Sequence, residues 1–118
     1  VLGGVFFSHL GTVTMADLIP QFADFGLQAE GVEWSVVSGV VGDQVHVSIR
    51  NVGYVKSAGD MARAAFGDIG PAGGHRTMAK AVVPLASLTV GDEARAGRGC
   101  PERIIHRVLR ALGHQEKS

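Results

Sequence analysis

Hydrophobic and polar positions along the chain change period several times, and each change predicts an element. The opening VLGGVFFSHL mixes aliphatic and aromatic residues with strand preference, while Gly3 and Gly4 mark a weak start or a bulge. In ADLIPQFADFGLQAEG, the residues Leu18, Ile19, Phe22 and Phe25 fall at helical spacing. With Asp17 as N-cap, Pro20 lies in the first turn, where no intrahelical amide is missed; a start at Thr14 would instead give a longer, kinked helix. VEWSVVSGVVGDQVHVSIRNVG reads as a β-hairpin turning at Gly42-Asp43. On its second strand Val45, Val47 and Ile49 alternate with Gln44, His46, Ser48 and Arg50. One face therefore packs inward, and Ser48 and Arg50 share the other.

In SAGDMARAAFG, Ser57 and Asp60 approximate a capping box, Met61, Ala62, Ala65 and Phe66 form the buried stripe, and Gly67 closes the helix. AKAVVPLASL has strand character, with a helical turn as the alternative at its start. TVGDEARAGRGC is polar and glycine-containing, a loop. PERIIHRVLRALG starts on a proline suited to a first helical position and ends at Gly113. Its apolar stripe is Ile104, Ile105, Val108, Leu109 and Leu112; Arg103, His106, Arg107 and Arg110 form a face expected to be solvated. HQEKS is expected to fray. The order β-α-β-β-α-β-α predicts an α+β fold, a mixed sheet with a hairpin covered by helices.

Composition narrows the function classes. At 118 residues with 46% hydrophobic positions, the chain fits one domain able to bury a core. Cys100 is the single cysteine, which excludes an internal disulfide and a cysteine metal cluster and makes the cytoplasm the expected compartment. No apolar run approaches the ~20 residues of a bilayer span, so no membrane partner is expected. Val1 opens the chain without an initiator methionine, which makes a piece of a longer protein the expectation. A formal net charge of zero argues against a surface wholly given to nucleic acid. Between Val45 and Val90, however, Arg50, Lys56, Arg63, Arg76 and Lys80 are opposed only by Asp60 and Asp68, a segment suited to an anionic ligand.

The candidate chemistry lies in that segment. Gly73 and Gly74 in PAGGHRTMAK either serve a helix-to-strand turn or let a ligand approach the backbone; a helical turn starting there would offer free amides to an anion, with His75 and Arg76 adding donors. His75 has no carboxylate partner identifiable in the sequence, so substrate hydrogen bonding is favoured over proton transfer, with a structural histidine tying down its turn as the alternative. Arg50 is either an exposed strand-end arginine or a paired donor to phosphate or carboxylate, with Ser48 and Asn51 as polar company. Trp34 is assigned to the core, and Tyr54 is the stacking candidate. The five histidines are scattered without the spacing of a zinc site, and no nucleophile elbow or phosphate-binding loop motif is present.

VHVSIRN, then AGDMARAAFG, then AGGHRTMAKA resembles the C-terminal substrate-binding domain of the DHH phosphoesterases, the superfamily of RecJ-like nucleases and nano-RNase/pAp phosphatases. The resemblance runs from about Glu33 to Leu85. That family has a strand ending Ser-Leu-Arg-Ser, a helix ending Phe-Gly, and then Gly-Gly-Gly-His and Ala-Ala-Gly. Ser48 and Arg50 match the strand-end serine and arginine, and Gly73, Gly74 and His75 match the end of the glycine-histidine signature; Ala72, Asn51 and Lys80 depart from it.

The resemblance implies substrate-binding roles for Ser48, Arg50, Gly73, Gly74 and His75; Asn51 and Arg76 join the expected substrate-binding set as neighbouring polar donors, with Lys80 adding charge or lying on the surface. It implies one C-terminal domain over residues 1–118, with a core at about 12–90, a loop at 91–100 and a terminal helix at 101–113. It also implies that the metal ions, usually manganese, belong to an N-terminal DHH domain outside this sequence, so that the fragment itself carries no catalytic residue, metal or cofactor and is inactive. The implied partners are a nucleotide or short oligonucleotide and that N-terminal domain. The competing readings are a regulatory or homodimerisation unit, acting through the basic terminal helix or the sheet edge, and a polyphosphate-binding domain.

Overall fold

A computed structural model describes residues 4–52, 56–88 and 100–113. Tyr54, residues 91–99 of the loop expected at 91–100, and the tail from His114 lie outside the described residues, while residue 100 belongs to the terminal helix. Five strands form one mixed sheet: β1 (Val5–Thr12), β2 (Trp34–Val41), β3 (Gln44–Asn51), β4 (Ala72–Gly74) and β5 (Met78–Pro84). The helices are α1 (Leu18–Gly26), α2 (Ala58–Phe66) and α3 (Cys100–Ala111), with a 3-10 turn at Leu85–Leu88. The spatial order is β1-β2-β3-β5-β4, with β1 and β2 parallel across the α1 crossover and the other neighbours antiparallel. This is the expected α+β class, with a fifth strand added.

The hairpin follows its alternation. Val45, Val47 and Ile49 pair with Val83, Ala81 and Ala79 of β5, and all six are buried. Trp34 and Val36 of β2 extend this apolar face, and α2 and α3 cover it with Met61, Ala62, Ala65, Phe66, Ile104 and Val108. Ser57 caps α2 by accepting a 3.1 Å hydrogen bond from the Asp60 amide.

Three local expectations are corrected. Asp17 stands at the N-cap of α1, with Pro20 in the first turn, but its side chain makes no capping bond; the Leu18 and Ile19 amides reach the Met15 and Ala16 carbonyls instead. The buried face of α1 is Ile19, Ala23 and Gly26, while Phe22 and Phe25 are exposed. Small residues won this contact because α1 lies very close to the sheet: a Cβ at Gly26 would stand 2.5 Å from both the Phe6 ring and the Ser35 hydroxyl. Finally, α3 starts one residue before Pro101, and its basic face is only half solvated. His106 and Arg110 are exposed, whereas Arg107 folds onto α2, donating to the Ala65 carbonyl at 2.9 Å and to Asp68 at 2.8 Å.

Candidate anion-binding cavity

The second face of the sheet is covered unequally. Helix α1 lies over β2 and part of β3, where Ile19 and Ala23 meet Val37 together with the Phe6 and Leu10 side chains of β1. Beyond its N-terminal end, the floor made by β3, β5 and β4 is left as a cavity of about 300 Å³. Because side chains alternate along a strand, this floor receives the residues that the core face excludes. His46, Ser48 and Arg50 stand in a row on β3, with Lys80 directly opposite Ser48 and Met78 opposite Arg50 on β5. Gly73 pairs with Lys80 from the far side, and Gly73, Gly74 and His75 form the rim. The facing wall is the entry to α1, at Asp17, Ile19 and Pro20.

Gly73 and Gly74 belong to an edge strand, not to a helical turn with free amides, because their register is set by β5 and by the start of α2. A Cβ at Gly74 would lie 2.4 Å from the Met78 carbonyl oxygen, and one at Gly59 would lie 2.7 Å from the Gly74 oxygen. Glycine at 59 lets α2 meet β4, and glycine at 74 lets β4 close on β5. There the Ala58 and Gly59 amides each donate at 2.8 Å, to the Arg76 and His75 carbonyls respectively. The first amides of α2 thus hold the rim in place.

Ser48, Arg50, Gly73, Gly74 and His75, separated by up to 27 residues, therefore line one cavity. Asn51 and Arg76 do not; they border an adjoining depression of about 520 Å³, with Arg50 and Met78 between the two. Asn51 is buried and donates through Nδ2 to the Lys56 carbonyl at 2.7 Å, so its side chain ties the end of β3 to the residues that lead into α2.

Arg50 is not the exposed strand-end arginine that its sequence position also allowed. Its side chain is 11% exposed; Nε donates to Asp24 at 2.5 Å and Nη1 to the Ile49 carbonyl at 3.1 Å. A buried guanidinium needs such partners. The Asp24 side chain is 63% exposed, so the pair is screened and an arriving anion meets little resistance from it.

Sequence reasoning passed over His46 as a site residue. It lies on the same face as Ser48 and Arg50, and its imidazole is held below the ordinary value of 6.5 by burial and then by the nearby Lys80 charge. The signal was present in the alternation VHVSIR, where every second residue belongs to the cavity.

A larger depression, about 1150 Å³, lies between α2 and α3 on the opposite side of the sheet, bordered by Arg103, His106, Arg107 and Arg110. Among the described residues no group of three or more histidine, cysteine or carboxylate side chains is placed to hold a metal ion, and no helix is long and apolar enough to cross a membrane.

No protein-family model matches the chain. An uncharacterized protein of Methanocaldococcus jannaschii is 32% identical over 118 residues; the match takes in 99% of this chain and 24% of that protein, so the chain spans about a quarter of its relative's length. Among solved structures, the C-Ala domain of Aquifex aeolicus alanyl-tRNA synthetase superposes with a TM-score of 0.66 at 16% identity, over 92% of this chain and 89% of that domain. RecJ from Thermus thermophilus, solved in complex with Mg2+, superposes with a TM-score of 0.60 at 18% identity, over 97% of this chain and 15% of RecJ. The fold is RecJ-like, and the alanyl-tRNA synthetase domain shares it.

Proposed function

We propose that this domain is the substrate-binding part of a DHH-type phosphoesterase, and that its cavity holds the nucleotide or phosphate end of a short oligonucleotide or related phosphodiester. The observation carrying this reading is the convergence of Ser48, Arg50 and the Gly73 to His75 rim on one cavity. These are the positions at which the sequence resembles that family. The occurrence of the fold in RecJ and in an alanyl-tRNA synthetase agrees with a ligand drawn from nucleic acid.

The residues present divide the task. The Arg50 guanidinium, fixed by Asp24 and the Ile49 carbonyl, offers its remaining N–H groups to a phosphate as charge-assisted donors. Ser48 supplies a short hydroxyl beside it, and Lys80 adds positive charge across the floor. His75 contacts substrate from the rim as a hydrogen-bonding group. Ile19, Pro20 and Met78 supply apolar surface for a sugar or base. A cavity of about 300 Å³ has room for one nucleotide unit, and in this reading the scissile ester lies toward the mouth. Hydrolysis is assigned to metal ions, manganese by family resemblance, in an N-terminal domain outside this chain; such ions activate water and polarise phosphate oxygens.

Titration of the domain with a ribodinucleotide or pAp tests the reading. The expected result is weak binding that falls as salt rises and is reduced about tenfold or more by Arg50→Ala, and less by His75→Ala. Binding unaffected by both substitutions would refute it. The reaction itself is tested by adding manganese to the full-length protein and comparing hydrolysis of pAp, dinucleotides, cyclic dinucleotides and polyphosphate.

A further inference from the structure

His46 presents an unsolved polar problem. Among the described residues its Nδ1 is buried without a hydrogen-bond partner, although the residue lies on a cavity wall next to Ser48 and Arg50. Buried polar atoms are almost always paired, and a half-turn of the imidazole ring brings this orphan from its covered position to the cavity side, where an entering ligand can pair it. Every second residue of β3 from His46 to Arg50 points to the same space, so a ligand on Arg50 and Ser48 extends toward His46 with no main-chain rearrangement.

We propose that His46 is a further ligand-binding residue of this cavity, whose Nδ1 donates to an anionic group of the ligand and whose ring takes up a proton as that group binds. The inference rests on the reading of the cavity as an anion site. The charged and titratable groups that line the cavity with His46 are Lys80 from β5, Arg50 from its own strand, His75 from the rim and Asp17 from the entry to α1; on β2 its partner is Gly39, which has no side chain to charge. In the empty cavity burial and Lys80 disfavour the imidazolium. A bound phosphodiester adds a negative charge that offsets Lys80 and favours it. The complex therefore holds the proton to a higher pH than the free domain, so affinity rises as pH falls through this interval and levels off once the free imidazole is also charged.

The test is calorimetric titration with a ribodinucleotide, whose phosphodiester keeps one charge throughout, from pH 8 to pH 5.5. Repetition in buffers of different ionisation enthalpy measures proton uptake. The unsubstituted domain is expected to bind more tightly toward low pH and to take up a proton. His46→Ala is expected to lose about tenfold in affinity at low pH. His46→Asn, which keeps a donor near the Nδ1 position but cannot ionise, is expected to hold affinity at pH 8 and lose both the slope and the uptake. His75→Asn is expected to keep both. If Arg50→Ala weakens binding while His46→Ala matches the unsubstituted domain at every pH, the cavity reading stands and the role of His46 is overturned. If Arg50→Ala has no effect either, the cavity reading and this inference fall together.

Discussion

The two faces of strand β3 are built from one heptapeptide and do opposite things. Val45, Val47 and Ile49 enter a core sealed by α2 and α3; His46, Ser48 and Arg50, one residue out of step, meet a face that α1 covers only in part. Ser48 and Arg50 are themselves buried, at 5% and 9% exposure, while His46 beside them is half-buried and Met78 and Lys80 opposite are exposed. Polarity therefore does not separate interior from exterior here. It separates the layer closed by the chain itself from the layer left for a ligand to complete.

The contrast is broken most forcefully from the closed side. Ile49→Ala should cost about 2–5 kcal/mol in urea unfolding, because a fully buried side chain leaves a cavity between the sheet and α2. Its neighbour Ser48→Ala should change stability by less than about 1 kcal/mol while weakening ligand binding. Equal losses of stability at the two positions would erase the distinction. A smaller effect comes from the junction of the layers: Gly59→Ala pushes a Cβ against the Gly74 carbonyl and should destabilise by about 1–3 kcal/mol, with the rim displaced. An unchanged urea midpoint would show that the close approach is not needed.

The mildest test is pH. His46 on the open face and His9 on the other face are both held below the ordinary imidazole value, His9 by burial and against the pull of Glu102. Between the ordinary value of 6.5 and the lowered ones, the unfolded chain binds more protons than the folded chain. Stability is thus unaffected above that value and declines as pH falls below it. His9→Gln and His46→Gln should each flatten part of the decline, read as the urea midpoint against pH. Identical acid profiles for the unsubstituted domain and both variants would remove the two histidines from the account.

What could be read before folding was what local pattern controls. The period-two run from Gln44 to Arg50 contained the hairpin, its register and the shared face of Ser48 and Arg50, and Ser57 with Asp60 contained the start of α2. Strand β4 was invisible because Ala72, Gly73 and Gly74 have no strand preference of their own; pairing with β5 and contact with α2 create it. The burial of Arg50 was equally hidden, since Asp24 stands 26 residues away on a helix whose true contact face is alanine and glycine rather than the phenylalanines that its spacing favoured.

The two hydrogen bonds that join α2 to the rim give the domain a built-in reporter. The Ala58 and Gly59 amides have no acceptor within their own helix and depend on the carbonyls of residues 75 and 76. Their hydrogen-exchange rates consequently measure the opening of the rim rather than the unravelling of α2. A ligand that clamps His75 would slow exchange at these two positions while leaving the middle of the helix unchanged, making occupancy of the cavity visible from the far side of the strand that borders it.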